Sequence, residues 1–267
     1  LRELDIVNHA LKMGPNPILT TNAAIDNAAN RVGISTEENL TDARTIELRF
    51  KTTATHVVSQ SLYAKNKNGY GYHNAWIETS GSSEYGYINY NAFLNIGNSK
   101  YGKLSKLPVL DGDWWNLLIR FNADNTVTLT CQKSPDHANG EITHKATTTI
   151  SGFTGGPYQF TTNTFGGVES YHTFGGTSRA TFTSIAQTNR LTALSGSIQE
   201  VRFWSEALTD MAFDHHTKAP TSYAPSTGNS SYDTLLYRLP LGSDNNINIA
   251  TSSYFHLSSS HPNQSIS

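Results

Sequence analysis

Two acidic residues near the start of the chain, Glu3 and Asp5, have a spacing that suits catalysis by paired carboxylates. Alternate residues of a β-strand face the same side, so a strand here would place both carboxylates on one face. Retaining glycoside hydrolases use two carboxylates about 5–5.5 Å apart, one as nucleophile and one as general acid and base. The pair therefore raises the hypothesis of a polysaccharide hydrolase. The alternative is a polar entry strand without chemistry.

A second group of residues suits ligand binding rather than catalysis. Aromatic and amide side chains alternate along two strand-like segments, 70–78 and 85–90. A sugar presents an apolar C–H face and a rim of hydroxyl groups, and flat rings beside amides fit both. The other interpretation is that these rings pack in a core or at a subunit interface, where Tyr is common. The candidate glycan-binding residues are Tyr70, Tyr72, Asn74, Trp76, Tyr85, Tyr87 and Asn89.

The composition argues against several classes of function. The net charge is −2, and Lys and Arg form no cluster, whereas nucleic-acid binding needs clustered positive charge. No run approaches the roughly 18 apolar residues of a membrane span, so we expect no membrane insertion. Cys131 is the only cysteine, which rules out an intrachain disulfide, and we expect it to be a small hydrophobic residue inside a strand.

Short β-strands are the elements that would position these candidate residues. Ile46, Leu48 and Phe50 share one face of a segment at 44–52, and the odd-numbered residues of segment 114–121 share another. The polar stretch after Pro220 predicts one domain at 1–219, followed at 220–267 by a linker and a strand that lead to a further domain. The chain starts at Leu1, and we expect it to be a segment of a longer polypeptide. Further strands are predicted at 57–64, 70–78, 85–90, 126–131 and 142–150.

The segment from Leu194 to Thr209 carries the most specific pattern in the chain. Gly196 marks a bend, and the residues that follow alternate as in a strand with both faces buried. Glu200 and Arg202 are expected to form a structural pair at a sheet edge, and Trp204 is expected to pack in the core. Ser205 is then expected to open a short helical turn. Four apolar residues of that turn have helical spacing: Ala207, Leu208, Met211 and Ala212.

Three segments of the chain resemble laminin-G-like domains in order and spacing. Segment 196–209 matches a closing Gly-x-Ile-x-Glu-Val-Arg-(aromatic)-Trp-x-x-Ala-Leu motif, and segments 44–52 and 113–133 resemble two earlier strand regions. Arg49 stands where Trp is usual, and the turn at Asp124 and Asn125 has no Gly. The resemblance covers most of residues 9–219. It implies an all-β fold, a concanavalin A-like jelly-roll β-sandwich of two antiparallel sheets, used more for binding than for chemistry.

The region after residue 219 carries a second resemblance. The segment Tyr-Arg-Leu-Pro-Leu-Gly-Ser-Asp at 237–244 and the Ser-His-Pro-Asn at 260–263 resemble segments of tailed-phage virion proteins. This resemblance implies a tail fibre, capsid fibre or decoration protein, with other virion proteins as partners and assembly as a homo-oligomer. It implies a location in the virion, with an extracellular location as the alternative.

The laminin-G-like resemblance also bears on catalysis and on metals. Laminarinase-type hydrolases with this sandwich carry Glu-x-Asp-x-x-Glu in mid-domain, whereas Asn8 replaces the last Glu here, so we expect no enzyme. Calcium is the usual ion in this superfamily, bound by oxygen ligands on a rim loop. No other cofactor is expected, and adjacent His215 and His216 are expected to be surface residues rather than zinc ligands. The calcium candidates are Asp111, Asp113 and Asp124, and a further acidic loop has Asp244, Asn245 and Asn246.

The expected function is therefore noncatalytic adhesion to host-surface glycans by a lectin-like domain of a virion structural protein. The first alternative is a carbohydrate-binding module of a larger secreted or cell-surface protein. The second alternative is a polysaccharide hydrolase. Fold does not decide among them, because the same sandwich supports lectins, enzymes and scaffolds.

Overall fold

The structure of the chain is a computed structural model, and it describes fourteen strands and one helix. The described residues are 11–13, 32–36, 43–53, 59–67, 70–79, 84–95, 98–137, 140–153, 170–175, 194–222, 234–239 and 255–259. The elements are β1 Leu11–Met13, β2 Val32–Thr36, β3 Thr45–Thr53, β4 Gln60–Lys67, β5 Tyr70–Thr79, β6 Gly86–Asn95, β7 Asn98–Lys103, β8 Asp111–Phe121, β9 Val127–Lys133, β10 Lys145–Ile150, β11 Ser170–Phe174, β12 Gly196–Trp204, α1 Asp210–Lys218, β13 Leu235–Leu239 and β14 Phe255–Ser259.

The strands form two sheets, each of seven strands. Sheet A has the order β1-β12-β3-β8-β9-β10, with β13 also paired to β12, and sheet B has the order β14-β2-β11-β4-β5-β6-β7. Every pairing of these strands is antiparallel. The predicted fold class is confirmed: the chain is an all-β jelly-roll sandwich.

The core lies between the two sheets and follows from strand alternation. Ile46, Leu48 and Phe50 of β3 face inward, and the odd-numbered residues of β8 from Trp115 to Phe121 lie beside them. Inward-facing residues of sheet B complete the same cluster, so one apolar layer joins both sheets. Cys131 of β9 is fully buried in this layer, as the sequence predicts.

A β-bulge in β12 changes the side of the sheet that its residues face. The pairing with β3 shifts register between Gln199 and Arg202, and Glu200 adopts a φ of 51°. The extra residue places Ile198 and Val201 on the core side. Unbroken alternation, as the sequence suggested, would have put Ile198 and Trp204 on the same face. Trp204 instead packs in a second cluster, on the outer face of sheet A.

Helix α1 covers part of the outer face of sheet A. It begins at Asp210 rather than at the predicted Ser205, because the Thr209 side chain accepts a hydrogen bond of 3.2 Å from the Ala212 N–H and caps the first turn. Phe213 packs against Leu118 and Trp204. Met211 is 76 % exposed, so its helical spacing does not correspond to burial. Among the helices that the structure describes, none has the length and apolar character needed to cross a membrane.

Two strands beyond residue 219 belong to the sandwich. β13 pairs with β12, where Leu236 packs against the core, and β14 pairs with β2. β12 is therefore an inner strand, and the prediction that Glu200 and Arg202 lie at a sheet edge is wrong. The further domain expected after residue 219 stays a prediction.

Candidate functional site

The outer face of sheet B gathers aromatic, amide and charged side chains from three neighbouring strands. On β5 and β6 the residues Ala75, Ile77, Ile88 and Tyr90 point into the core, so the residues between them face outward.

Cross-strand pairing then places Asn74 opposite Asn91, Trp76 opposite Asn89, and Glu78 opposite Tyr87. On β7, Tyr101 lies opposite Asn91, and Lys103 lies opposite Asn89. We call this set the aromatic–amide face: Asn74, Trp76, Glu78, Tyr87, Asn89, Asn91, Tyr101 and Lys103.

A chain of hydrogen bonds crosses this face. The Tyr101 hydroxyl donates to Asn89 Oδ1, and Asn89 Nδ2 donates to Glu78 Oε2 at 3.1 Å. Lys103 Nζ donates to the same carboxylate oxygen at 2.8 Å. Partial burial raises the pKa of Tyr101, Lys103 acts to lower it, and Glu78 adds to the rise. The Tyr101 hydroxyl therefore stays protonated at neutral pH and remains a hydrogen-bond donor.

The rings of the aromatic–amide face differ in exposure. Tyr101 is 51 % exposed and Trp76 only 3 %, with their ring centroids 6.2 Å apart and the planes tilted by 46°. Lys103 Nζ lies 3.9 Å from the Tyr87 ring centroid, a cation–π contact that orients both side chains. The ring most available to a ligand is therefore Tyr101, and Trp76 supports it from below.

Two amide oxygens of this face have no hydrogen-bond partner among the residues that the structure describes. They are Asn74 Oδ1 and Asn91 Oδ1, both buried, and the two residues lie opposite each other on β5 and β6. Most buried polar side-chain atoms in native structures have a partner, so a pair of unsatisfied acceptors marks a place suited to an added donor. Hydroxyl groups supply such donors.

The candidate glycan residues from the sequence divide into three groups. Asn74, Trp76, Tyr87 and Asn89 share one outer face, but three of them are buried and only Tyr87 is partly exposed. Tyr85 precedes β6 and is 43 % exposed, with Lys106 Nζ 5.2 Å from its ring centroid. The side chains of the other two candidates, Tyr70 and Tyr72, lie outside the described residues, although their backbones belong to β5.

The list of candidate glycan-binding residues from the sequence also lacks Asn91 and Tyr101, and sequence reasoning missed Glu78 and Lys103 as site residues. Glu78 lies two residues after Trp76 on β5, and Lys103 lies two residues after Tyr101 on β7, so each faces the same side of the sheet as its aromatic neighbour. This spacing is the feature of the sequence that could have identified them. Their meeting depends on the register of β5, β6 and β7, which a single sequence does not reveal.

The calcium candidates do not come together around one position. Asp111 and Asp113 both bind Lys133, with Nζ 2.8 Å and 2.7 Å from their carboxylate oxygens. Asp111 Oδ1 also accepts from the Trp115 indole at 3.0 Å, so its oxygens are satisfied by the protein. Asp124 lies beyond the other end of β8, about 30 Å away along the strand.

The pKa values of these aspartates agree with this arrangement. Burial acts to raise the pKa of Asp111, but hydrogen bonds led by the one from Lys133 outweigh it and lower the pKa. Lys133 therefore lies between Asp111 and Asp113, where a cation shared by the two carboxylates would bind. The described part of the chain has no group of three His, Cys, Asp or Glu residues that could hold a metal ion. Calcium binding stays a prediction, and Asp244, Asn245 and Asn246 lie outside the described residues.

Asp124 has a structural role in the turn between β8 and β9. Its Oδ1 accepts hydrogen bonds from the Thr126 backbone N–H at 3.1 Å and from the Thr126 hydroxyl at 2.7 Å. These bonds, mainly the one from the hydroxyl, lower the pKa of Asp124. The next turn residue, Asn125, has a φ of 62°, a conformation that Asn tolerates without the usual Gly.

Two other sequence hypotheses have different outcomes. Glu3 and Asp5 lie outside the described residues, so the carboxylate-pair hypothesis is not addressed there. The prediction that both histidines of α1 lie on the surface is wrong for His216, which is 3 % exposed. His216 Nδ1 lies 2.9 Å from Glu47 Oε1, and the ring stacks on Trp204 at 5.3 Å.

In comparisons with known proteins, this chain resembles solved structures but has no match by sequence. No protein-family model matches the chain, and no curated protein matches it. Tailspike protein 2 of an Escherichia coli O157:H7 bacteriophage has a TM-score of 0.50 and 11 % identity, over 87 % of this chain and 30 % of the tailspike. The CBM40 of a Ruminococcus gnavus sialidase has a TM-score of 0.43 and 15 % identity, over 78 % of this chain and 96 % of that chain.

Mouse laminin α1 domains LG4-5 are a third relative. Their TM-score is 0.36 and their identity 12 %, over 73 % of this chain and 40 % of that chain. At 11 % identity the likeness to the tailspike bears on the fold alone, and the other two, with TM-scores below 0.5, add no argument. The chain spans less than a third of the length of the tailspike that it matches.

Proposed function

We propose that this chain is a noncatalytic glycan-binding domain of a virion structural protein, and that the aromatic–amide face binds the glycan. The observation that carries the proposal is the half-exposed ring of Tyr101 beside the hydrogen-bonded Asn89, Glu78 and Lys103. An exposed aromatic ring with convergent polar groups matches what a sugar offers, an apolar face and hydroxyl groups.

Each group of the face has a distinct part in the proposed binding. The apolar face of a sugar ring packs on Tyr101, and its hydroxyls donate to Glu78 or accept from Lys103. Side-chain exposures of 32 % for Glu78 and 35 % for Lys103 leave both groups accessible to solvent. The buried oxygens of Asn74 and Asn91 belong to the same face, and hydroxyl groups of a glycan are the kind of donor that they lack among the described residues.

The acidic residues of sheet B support binding rather than hydrolysis. Among the strands of sheet B that the structure describes, Glu78 is the only acidic residue, and Lys103 and Asn89 both bind its carboxylate. Glycoside hydrolysis by the common mechanism needs two carboxylic groups flanking the scissile bond. We therefore propose that this face holds a glycan without cleaving it.

The virion setting rests on the resemblance of residues 237–244 and 260–263 to tailed-phage proteins. A bacteriophage tailspike with the same fold is in keeping with that setting, and adhesion to host-surface glycans within a homo-oligomeric fibre is the proposed role. The alternative is a module of a larger secreted or cell-surface protein. The sialidase CBM40 was solved with α2,3-sialyllactose bound, so this fold can serve in that way.

A glycan array tests the proposal. The wild-type chain is applied to an array of bacterial surface polysaccharides and animal oligosaccharides, and affinities for the positive glycans are measured by calorimetry. Tyr101→Ala is expected to weaken binding by at least tenfold, about 1.4 kcal/mol, because it removes the exposed ring. Tyr101→Phe keeps the ring and should retain most of the affinity.

The matched control is Met211→Ala, which removes an exposed apolar side chain from α1, on the outer face of sheet A. This variant should bind as the wild type does, and no variant should release reducing sugar from a bound glycan. An array with no positive glycan, or a Tyr101→Ala variant with unchanged affinity, would contradict the proposal.

A further inference from the structure

A cluster of buried charged side chains lies on the outer face of sheet A, where α1 covers it. Arg49 and Glu47 come from β3, Glu200 and Arg202 from the bulged part of β12, and Arg238 from β13. Four of the five are at most 5 % exposed, and the Arg238 side chain is 22 % exposed. Three guanidinium groups face two carboxylates, so these five side chains have one positive charge in excess, and the His216 ring lies against Glu47 beside them.

Both carboxylates of this cluster already have their partners. Glu200 Oε1 accepts from Arg238 at 2.6 Å, and Glu200 Oε2 accepts from Arg202 at 2.8 Å and from Arg238 at 2.9 Å. Glu47 Oε2 accepts from the Trp204 indole at 2.9 Å. His216 Nδ1 lies 2.9 Å from Glu47 Oε1, and Arg202 Nη1 lies 3.7 Å from Glu47 Oε2. Neither carboxylate is placed to neutralise Arg49 directly.

Arg49 is the arginine of this cluster that forms no direct ion pair with a described carboxylate. Its Nη1 donates to the amide oxygen of Gln199 at 3.1 Å, and its guanidinium lies 4.7 Å from the Trp114 ring centroid. Its Nε is buried and donates no hydrogen bond, and Arg49 forms no ion pair with a carboxylate of the described residues. Burial lowers its pKa to about 9, with repulsion from Arg202 adding to this and Glu200 opposing it. The guanidinium is therefore still charged at neutral pH.

A small cavity borders Arg49. It measures about 10 Å³, and four members of the cluster line it: Arg49, Arg202, Glu47 and Glu200. Its other lining residues are Leu48, Asn116, Phe213, His216 and Pro220. That volume accommodates roughly one water-sized particle. Sulfate and phosphate have five heavy atoms each and do not fit it without rearrangement.

We infer that this cavity is a binding site for one small monovalent anion, chloride in ordinary media, held by Arg49. A buried charge is costly unless it is paired, and an anion beside Arg49 would offset the excess positive charge of the three arginines. Arg49 Nε supplies the free donor, and Asn116 supplies a neighbouring amide. The inference is independent of glycan binding, because the site lies on the opposite sheet from the aromatic–amide face.

The anion dependence of thermal stability tests the inference. Melting temperature is measured at pH 7 and constant ionic strength while chloride replaces methanesulfonate, which is too large for the cavity. A ligand that binds only the folded state raises the melting temperature, by about 3–6 °C for a chain of this size when chloride is at ten times its dissociation constant. Bromide should act like chloride.

Two variants show whether Arg49 holds the anion. Arg49→Met removes the charge but keeps an apolar chain of similar length. Because Arg49 forms no ion pair with a described carboxylate, the change leaves no described buried carboxylate unpaired. This variant should fold and should lose the chloride effect. Lys51→Gln is the matched control, because it removes a cation two residues along the same strand that belongs to no part of the cluster. It should keep the full chloride effect.

A bromide-soaked crystal of the wild-type chain gives a second readout that does not depend on any variant. An anomalous peak in the cavity beside Arg49 is the expected result. A melting temperature that does not change with chloride, an equal chloride effect in Arg49→Met, or a cavity that holds only water would each overturn the inference.

Discussion

At the scale of single residues, Glu47 and Tyr101 show how neighbours decide what a polar side chain does. Glu47 is almost fully buried, yet it accepts from the Trp204 indole and faces His216 and Arg202. Tyr101 has half of its surface in water, and its hydroxyl is bound to Asn89. The first side chain therefore joins α1 to sheet A, and the second is available for a ligand.

Because of the partners of Glu47, the free energy of unfolding of the chain should depend on pH in the acidic range. Burial acts to raise its pKa, but interactions led by His216 outweigh it and leave the pKa below 4.5. A carboxyl group whose pKa is lower in the folded state stabilises the fold above its unfolded pKa, and this stabilisation is lost as the pH falls through the folded pKa. The free energy of unfolding should therefore decrease below about pH 4.5.

Urea denaturation across pH 3–7 measures this contribution in the wild type and in Glu47→Gln. The variant should be less stable near neutral pH and should lose less stability on acidification. Glu141→Gln, which replaces an exposed loop carboxylate, is the control and should follow the wild-type profile. Parallel profiles for Glu47→Gln and the wild type would show that Glu47 does not provide the acid dependence.

At the scale of elements, β12 pairs with three strands of sheet A and contains a β-bulge that the alternation of its sequence does not reveal. The apolar faces of β3 and β8 could be predicted because both strands alternate regularly along their buried parts. The bulge at Glu200 could not be predicted, because one extra residue reverses the facing of every later side chain while the sequence still alternates. The start of α1 was placed too early because Ser205 and Thr209 are both plausible caps.

Gly196 tests how closely β12 approaches β3. A Cβ added there would overlap the backbone carbonyl oxygen of Lys51, which cannot move without breaking the strand pairing. At Gly102 a Cβ would overlap Cδ1 and Cγ1 of the Ile150 side chain but no backbone atom, so a change of the Ile150 rotamer can relieve part of the overlap. Gly196→Ala should therefore lower the free energy of unfolding by at least about 2 kcal/mol, and Gly102→Ala by about 1 kcal/mol.

Chemical denaturation of the two glycine variants and of Ser197→Ala measures these differences. Ser197 is the next residue along β12, and its variant should stay close to the wild type. If Gly196→Ala is as stable as the wild type, the close approach of the two strands is not as described.

At the scale of the whole molecule, the two outer faces of the sandwich have different roles. The outer face of sheet A is partly covered by α1 and holds buried charges, whereas the aromatic–amide face of sheet B presents Tyr101 to solvent. Strand parity alone was enough to place Asn74 beside Trp76 on one strand and Tyr87 beside Asn89 on another. It could not show that Glu78 and Lys103 meet there, or that β13 joins sheet A, because both depend on pairing between distant parts of the chain.

The central claim is that the aromatic–amide face binds a glycan, and chemical-shift mapping by NMR tests it most directly. Backbone amide spectra of the isotope-labelled chain are recorded while a glycan selected on the array is added. The largest shifts are expected in β5, β6 and β7 around Asn91 and Tyr101, with little change in α1. Shifts confined to sheet A or α1, or no shifts at a saturating glycan concentration, would contradict the claim.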